Sequence, residues 1–341
     1  MNNKLKVIFI CIIMMIPSLL FSQNSIASKK VVFWGDSASF LETQTAHMLD
    51  LIDKTLTDTP PQLSYSVARK LALYNFDAIV HEKKYDYSKA LHAYICSRMN
   101  AVISDLAKPL RSGMKIYKVY NDGFVIRTKS TTIAIDLCGR RGSFIPDSLM
   151  RPIADKCDAL FISHNHDDHA DENVISMFKE ENKPIYAPSE VLPSDNYIRH
   201  IYPDKMYSGQ LPLKNRKIQV KILPGHQDNL LNNIYVITLP EGFTVAHLGD
   251  QYGNGDMPVL KDIYKRIPFV DALIVDCWIS NMKEIIEDFN PKIVVTAHDI
   301  PFLMDDCSKD TIIVWNKKKS RLKRMTYSLP KKLRYEQVCF Y

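Results

Sequence analysis

The sequence predicts an α/β fold in which two β-sheets pack face to face between outer helices, an αββα sandwich, with a helical extension before it. Between about residue 37 and Pro109, apolar residues recur at helical spacing. From Met114 onward, apolar and polar residues alternate with the period of two that is typical of strands. Farther along, short apolar strands are separated by helical segments, and several of these strands end in histidine or aspartate. These strand ends also predict the position of a functional site.

The length and composition indicate a globular protein of one or two domains. The chain has 341 residues, with a hydrophobic content of 46% and a charged content of 24%. We divide it into a leader (residues 1–27), a helical extension (28–112) and a main domain (113–341). The formal net charge of +6 is too small to indicate nucleic acid as a partner. The sequence leaves the oligomeric state open.

Residues 1–27 have the pattern of a secretory signal. Lys4 and Lys6 give a positively charged start, and the small residues at positions 25–27 suit cleavage. The apolar run Val7–Leu20 is shorter than the about 20 residues that a membrane span needs. The alternative is an uncleaved N-terminal anchor. A cleaved signal would place the mature protein in a periplasm or outside the cell, with no membrane span remaining.

Six of the 7 cysteines follow this leader, and none belongs to a Cys-x-x-Cys pair. The sequence therefore gives no zinc-ribbon or thioredoxin signal. An oxidising compartment permits disulfides, but the sequence selects no pairing. Cys138, Cys157 and Cys277 border apolar strands, where we expect buried thiols.

The helical extension is predicted from three apolar stripes at helical spacing. The stripes are Leu41, Met48, Leu51, Ile52 and Leu56; then Val67, Leu71, Tyr74, Ala78 and Ile79; then Tyr87, Leu91, Tyr94, Ile95, Met99 and Ile103. The prolines at 60 and 61 separate the first two, and the third ends near Pro109. We expect this extension to pack as a cap on the main domain, and a substrate lid or a dimer surface is the alternative.

The main domain is predicted to open with a β-hairpin. Lys115–Tyr120 and Phe124–Arg127 alternate across Asn121-Asp122-Gly123, which is a hairpin-turn sequence. A third strand, Thr131–Ile135, ends at Asp136. Helices are predicted over residues 147–156 and 171–182, on either side of a short apolar strand.

A stretch rich in histidine and aspartate comes directly after that apolar strand, Ala159–Ile162. In an extended segment, side chains two positions apart point to the same side, so His164 and His166 can bind one ion together. After the next turn, Asp168 and His169 can face a second ion. Imidazole and carboxylate ligands suit zinc, and also manganese or iron. The alternative is a solvated loop that happens to be rich in these residues.

Three further candidate ligands, His226, Asp250 and His298, each directly follow another apolar strand. A single histidine at a strand end is usually a hydrogen-bonded surface residue. Four strands that all end in metal-ligand residues are different, because together they can supply a two-metal site.

This set of motifs resembles the metallo-β-lactamase superfamily of hydrolases, from roughly Lys115 to the C-terminus. The resemblance implies the αββα fold, a dinuclear metal centre and hydrolytic chemistry. The ligands that it implies are His164, His166 and His226 for the first metal, Asp168, His169 and His298 for the second, and Asp250 as a bridge between the two.

The resemblance also implies roles around the ligands. An aspartate at the end of the third strand usually steadies the metal loop in this fold, and we assign that role to Asp136. His247 is predicted to support the ligands or to contact substrate, with a structural hydrogen bond as the alternative. Tyr252 and Trp278 are predicted at the rim where substrate enters.

A hydroxide held between two divalent ions is a competent nucleophile near neutral pH, so we predict a metal-dependent hydrolase. Asp168 and Asp250 would place that hydroxide, and zinc is the favoured metal, with manganese or iron also suited. The expected partner is a small-molecule ester, lactone, amide or phosphodiester. The alternatives are a non-catalytic metal-binding or interaction protein on the same fold, and a nuclease of the superfamily. The weak net charge counts against the nuclease.

Within this superfamily, the carboxylate of Asp250 makes the chain less similar to the β-lactamases, which generally lack it, than to the lactonases and phosphodiesterases. The phrases Ala246–Asp250 and Pro291–His298 resemble the branch that contains L-ascorbate-6-phosphate lactonase and the N-acylethanolamine-releasing phospholipase D enzymes. The leader and the helical extension depart from that branch. So does Asp276–Ser280, which replaces its usual Pro-Gly loop.

Overall fold

The computed structural model describes residues 37–59, 66–81, 88–140, 144–213, 215–251, 255–267, 269–276, 279 and 282–297, and the backbone of three short strands beyond them. The predicted leader lies outside the described residues. The chain divides into two compact units, residues 1–44 and 45–341, and the sheets belong to the second. None of the helices in the described segments combines the length and the apolar character that crossing a membrane requires. The predicted domain boundaries stay predictions.

Seven helices are present in the described residues, and three of them form the predicted helical extension. The helices are α1 (Ser37–Asp58), α2 (Val67–His81), α3 (Lys89–Ala107), α4 (Asp147–Lys156), α5 (Glu172–Glu180), α6 (Met257–Tyr264) and α7 (Met282–Phe289). Ser88 caps α3, since its hydroxyl accepts a hydrogen bond from the Leu91 amide at 3.2 Å. Arg69 of α2 donates to the carbonyl oxygens of Leu56 and Thr59, at 3.3 Å and 3.2 Å, and so ties α2 to the end of α1.

From residue 45 onward, the described helices of the extension pack against the first sheet in one apolar cluster, although the buried faces of two helices differ from the prediction. In α3, Leu91, Tyr94, Ile95 and Met99 of the predicted stripe are buried and Ile103 is half-buried, whereas Tyr87 lies outside the described residues. In α1, however, Leu51 of the predicted stripe is 60% exposed, whereas Leu49 and Ile52 are buried. In α2, Val67 and Leu71 are likewise exposed. Both helices are apolar on more than one side, so spacing alone could not identify the side that meets the sheet.

The strands in chain order are β1 (Lys115–Tyr120), β2 (Gly123–Arg127), β3 (Thr132–Ile135), β4 (Leu160–Phe161), β5 (Ile185–Ala187), β6 (Ile198–His200), β7 (Tyr207–Pro212), β8 (Lys217–Gln227), β9 (Leu230–Thr238), β10 (Thr244–His247), β11 (Ala272–Asp276), β12 (Ile293–Ala297), β13 (Ile312–Val314), β14 (Lys323–Met325) and β15 (Val338–Cys339). The first sheet has the order β15-β1-β2-β3-β4-β5-β6, and the second has the order β12-β11-β10-β9-β8-β7. The strands β13 and β14 pair separately.

The topology brings the ends of several strands to a common edge. The strands β3 to β6 are parallel, with α4 and α5 connecting the first three of them. The strands β10 to β12 are also parallel, connected by α6 and α7. Because the carboxyl ends of neighbouring parallel strands lie at the same edge of a sheet, the residues that come after β3 and β4 meet there.

Three apolar layers confirm the predicted αββα arrangement. One lies between the two sheets, one between the first sheet and α1 to α5, and one between the second sheet and α6 and α7. In the central layer the Phe161 ring lies 5.1 Å from that of Tyr186 and 5.3 Å from that of Tyr235. The Tyr235 hydroxyl donates to the Ile162 carbonyl oxygen at 2.7 Å, which fastens β9 to the end of β4. Cys138 and Cys157 are buried free thiols, as predicted, and Cys277 lies outside the described residues.

The buried face of α1, which includes Ile52 but not Leu51, can be tested with two adjacent substitutions. Ile52→Ala should lower the free energy of unfolding by about 2–5 kcal/mol, because it removes a buried side chain from a packed core. Leu51→Ala, one position away, should change it by about 0.5 kcal/mol or less, since Leu51 faces solvent. Urea denaturation of both variants measures the difference. Equal losses would show that the assigned face is wrong.

Candidate metal centre

The histidine-rich loop is fixed by a buried carboxylate at the end of the neighbouring strand. The Ser163 amide donates to Asp136 Oδ1 at 2.7 Å, and the Ser163 hydroxyl donates to Oδ2 at 2.6 Å. Asp136 comes directly after β3 with a φ of +47°, in the left-handed region that aspartate tolerates better than most residues. These bonds hold the first residue of the loop after β4.

The same carboxylate orients His169. Its Nδ1 lies 3.0 Å from Asp136 Oδ2, so Nδ1–H donates to this oxygen. The other ring nitrogen, Nε2, lies 3.4 Å from Asp250 Oδ2 and 3.7 Å from Asp168 Oδ2. A carboxylate behind a histidine in this way is typical of metal sites, where it fixes the tautomer of the ligand. This is the geometry that the predicted role of Asp136 requires, and the role itself stays a prediction.

His164 and His166 converge as the motif predicts. His164 Nε2 lies 2.9 Å from His166 Nδ1 and 3.7 Å from Asp250 Oδ2. Burial, together with the neighbouring His169, lowers the pKa of His164 to about 3, so its imidazole is neutral at ordinary pH. A neutral imidazole is the form that binds a metal.

Asp250 is shared by two groups of potential ligand atoms. One group consists of Asp250, His164 and His166, and the other of Asp250, Asp122 and His169. In each group the atoms lie within 4.8 Å of one another. A carboxylate common to two such groups is placed as a bridging ligand would be.

The electrostatics of this region favour a cation. Burial alone would lower the pKa of His169, but the carboxylates of Asp250, Asp168 and Asp136 raise it well above its usual value. Burial raises the pKa of Asp122. Because several buried carboxylates in one place are costly without positive charge, a donor set of imidazoles and carboxylates here fits divalent metal ions.

His226 lies at the end of β8, beside a different set of partners. Its Nδ1 is 3.0 Å from Asp256 Oδ1, and its Nε2 is 3.1 Å from the Tyr202 hydroxyl. Gln251 accepts from the His226 amide at 2.9 Å and donates to Asp256 at 3.0 Å. His226 is in neither group with Asp250. With Nδ1–H donated to Asp256, however, its Nε2 carries the lone pair that a metal ligand needs.

Asp168 is held by the hairpin turn between β1 and β2. Its Oδ2 accepts a hydrogen bond from Asn121 Nδ2 at 2.7 Å. The other predicted residues, His298, Tyr252 and Trp278, lie outside the described residues. Of these, His298 is the residue directly after the end of β12.

His247 is buried and faces the hairpin turn. The Gly249 amide donates to its Nδ1 at 3.1 Å, and its Nε2 lies 3.3 Å from the Asp122 carbonyl oxygen. Its ring packs edge-on against Phe124, with 6.0 Å between centroids. These contacts have the form of the structural hydrogen bond that is the alternative prediction for His247.

Sequence reasoning missed two acidic residues of this region. The sequence indicates only a hairpin turn at Asp122 and only a loop beyond Asp250 at Asp256. Neither residue belongs to a recognisable metal-binding motif, and only the three-dimensional fold brings Asp122 to His169 and Asp256 to His226.

Comparisons with known proteins identify the family to which the chain belongs. Residues 115–298 match the family described as Beta-lactamase superfamily domain. No protein of curated function matches the chain. Among solved structures, Igni18, a metallo hydrolase from Ignicoccus hospitalis, is 14% identical with a TM-score of 0.40, and the match covers 55% of this chain and 83% of that one.

Two further structures show similar levels of likeness. An isothiocyanate hydrolase from Delia radicum gut bacteria is 13% identical with a TM-score of 0.37, and the match covers 55% of this chain and 83% of that one. CmlA, a diiron β-hydroxylase from Streptomyces venezuelae, is 14% identical with a TM-score of 0.40, and the match covers 58% of this chain and 49% of that one.

Gly249 supports a prediction about the packing of the centre. A Cβ at this position would lie 2.6 Å from Ser163 Cβ and closer still to Asn232 Oδ1, and its φ is +55°. Gly249→Ala should therefore cost about 3 kcal/mol or more of stability and weaken metal binding. Gly242→Ala is the matched control, since its φ is +85° but nothing lies within 4 Å.

The control substitution should cost only the backbone strain, about 1–2 kcal/mol, and leave metal content unchanged. Thermal denaturation and elemental analysis of both variants make the measurement. If Gly249→Ala matched Gly242→Ala in both stability and metal content, the close approach of Gly249 to Ser163 would be refuted.

Proposed function

The chain belongs to the β-lactamase superfamily, and on that premise we propose that it is a metal-dependent hydrolase with a dinuclear centre. The observation that carries the proposal is the position of Asp250 in two groups of potential ligand atoms. One buried carboxylate between two such groups supports a pair of ions at bridging distance. Imidazole and carboxylate ligands suit zinc, manganese and iron.

The chain supplies a ligand set that is divided between two positions. His164, His166 and Asp250 would hold one ion, with His226 completing this position as the motif predicts. Asp168, His169 and Asp250 would hold the other, with His298 as the predicted further ligand. The chemistry that a bound pair of divalent ions supplies is the activation of water and the polarisation of a carbonyl or phosphoryl group.

Residues around the ligands prepare them for binding. Asp136 keeps the proton of His169 on Nδ1, and Asp256 does the same for His226. The Asn121 amide fixes Asp168 Oδ2. Each bond holds a ligand side chain in one orientation, which reduces the conformational entropy lost when an ion or a substrate binds.

The proposed substrate is a small molecule with an ester, lactone, amide or phosphodiester bond. Asp250 favours the lactone and phosphodiester classes, because the branch that the sequence resembles has a carboxylate at this position. Export to a periplasm or to the exterior stays a prediction, since residues 1–27 lie outside the described residues.

A substrate panel tests the proposal directly. The purified mature chain is loaded with zinc or manganese and offered lactones, phosphodiesters, acyl amides and β-lactams. We expect close to two metal equivalents per chain by elemental analysis and hydrolysis of at least one class, lost with a chelator and restored by metal. A chain that binds two ions but hydrolyses no class would favour the non-catalytic binder. A chain that binds no metal would refute both.

Substitution of the bridging candidate tests the mechanism. Asp250→Asn keeps the size of the side chain and removes its charge, so the second ion should bind more weakly. Hydrolysis should fall by about 100-fold or more, because the metal-activated water supplies much of the rate. Asp136→Asn should cause a smaller loss, about 10–100-fold, since Asp136 acts through the ligands.

The matched control is Asp167→Asn. This carboxylate is exposed in the same loop and lies in none of the candidate ligand groups. Its substitution should leave both the rate and the metal content unchanged. Full activity and two bound ions in Asp250→Asn would refute the bridging role.

A further inference from the structure

The turn of the first β-hairpin is buried, which is unusual for a turn. Loops and turns generally lie at the surface, where water satisfies their polar groups. Asn121 and Asp122, between β1 and β2, are only 2% and 1% exposed. The turn therefore inserts a carboxylate into the interior, beside the candidate metal centre.

The Asp122 carboxylate has no hydrogen-bond partner for either oxygen within the described part of the chain. Its nearest positively polarised neighbours are His247 Nε2, 3.5 Å from Oδ1, and His169 Nδ1, 3.7 Å from Oδ2. A buried carboxylate without hydrogen bonds is costly unless a cation balances its charge. The candidates for such a cation are these two histidines and a bound ion.

Neither histidine is well placed to balance it. The Gly249 amide donates to His247 Nδ1 at 3.1 Å, and His247 Nε2 lies nearer to the Asp122 carbonyl oxygen, at 3.3 Å, than to the Asp122 carboxylate, at 3.5 Å. His169 donates its Nδ1–H to Asp136 at 3.0 Å, a shorter contact than the one with Asp122. This leaves a bound ion as the partner that the position of Asp122 favours.

The geometry allows an ion to reach Asp122. A ligand atom of Asp122, one of His169 and one of Asp250 lie within 4.8 Å of one another. Asp168 Oδ2 lies 3.7 Å from His169 Nε2, so a third carboxylate borders the same position.

We propose that Asp122 is a further carboxylate ligand of the second metal position, and that this position consequently accepts a hard ion such as Mn(II) or Fe(II). The inference rests on the proposed dinuclear centre. Carboxylate oxygens suit manganese and iron(II), whereas a site rich in imidazole suits zinc. Asp122, Asp168 and Asp250 make the second position rich in carboxylate, and His164 and His166 make the first position rich in imidazole.

The test compares Mn(II) and Zn(II) binding by the full mature chain and by Asp122→Asn. Mn(II) is titrated by electron paramagnetic resonance, and Zn(II) is titrated against a coloured chelator. In the wild type we expect two Mn(II) ions. In Asp122→Asn we expect the Mn(II) ion at the carboxylate-rich position to bind 10-fold or more weakly and the other Mn(II) ion to bind as before, with a smaller loss for Zn(II) at the carboxylate-rich position.

The thermal stability of the metal-free proteins separates a ligand from a structural residue. Removing an unbalanced buried charge is neutral or stabilising, so metal-free Asp122→Asn should be no less stable than the wild type. Asp136→Asn is the matched control. Its carboxylate accepts three hydrogen bonds, from Ser163 and His169, so its loss should lower the melting temperature of the metal-free protein.

Each outcome decides the inference. Unchanged binding of two Mn(II) ions by Asp122→Asn would overturn it and leave the dinuclear centre intact. Unfolding of the metal-free variant would also overturn it, because it would show a structural role. A wild type that binds a single ion, or none, would overturn the proposed function together with the inference.

Discussion

The candidate centre depends on one buried carboxylate, Asp136. It accepts two hydrogen bonds from Ser163 and one from His169, and no part of its side chain reaches solvent. Despite burial, which would raise its pKa, His169, His247 and Ser163 hold that pKa below the usual value. The ionised carboxylate therefore holds Ser163 and His169, at the two ends of the histidine-rich loop, and that loop carries the candidate ligands His164, His166 and Asp168.

A second constraint joins the two sheets at the same place. The Asn233 amide donates to the Ser163 carbonyl oxygen at 2.8 Å, and Asn232 Nδ2 donates to the Leu248 carbonyl oxygen at 2.8 Å. These bonds connect β9 to the loop after β4 and to the loop that carries Asp250. Because the candidate ligands come from both sheets, their separation is set by the contacts between the sheets, including the hydrogen bond from Tyr235 to Ile162. The apolar layer between the sheets therefore forms part of the core and also sets the geometry of the candidate centre.

Local pattern in the sequence is enough to predict part of this architecture. The two-sheet fold, the third helix of the extension and the convergence of His164 with His166 all depend on spacing within short segments. The buried face of α1 could not be predicted in this way, because Leu51 and Ile52 are equally apolar and only the sheet decides between them. Asp122 escapes prediction for a similar reason, since Asn-Asp-Gly predicts a turn whether that turn points outward or inward. Asp256 also escapes prediction, because it lies 30 positions from His226 in the sequence and only the fold brings the two side chains together.

The charges that this arrangement buries would couple folding to the proposed metal binding. The carboxylates of Asp122, Asp136 and Asp250 are at most 1% exposed and lie close together, so their negative charges repel one another. Such repulsion opposes folding unless positive charge is nearby. The raised pKa of His169 shows that an imidazolium can provide part of that charge. An ion that replaced this proton would supply more positive charge and leave the ring nitrogen free as a ligand, so binding of the ion would also stabilise the fold.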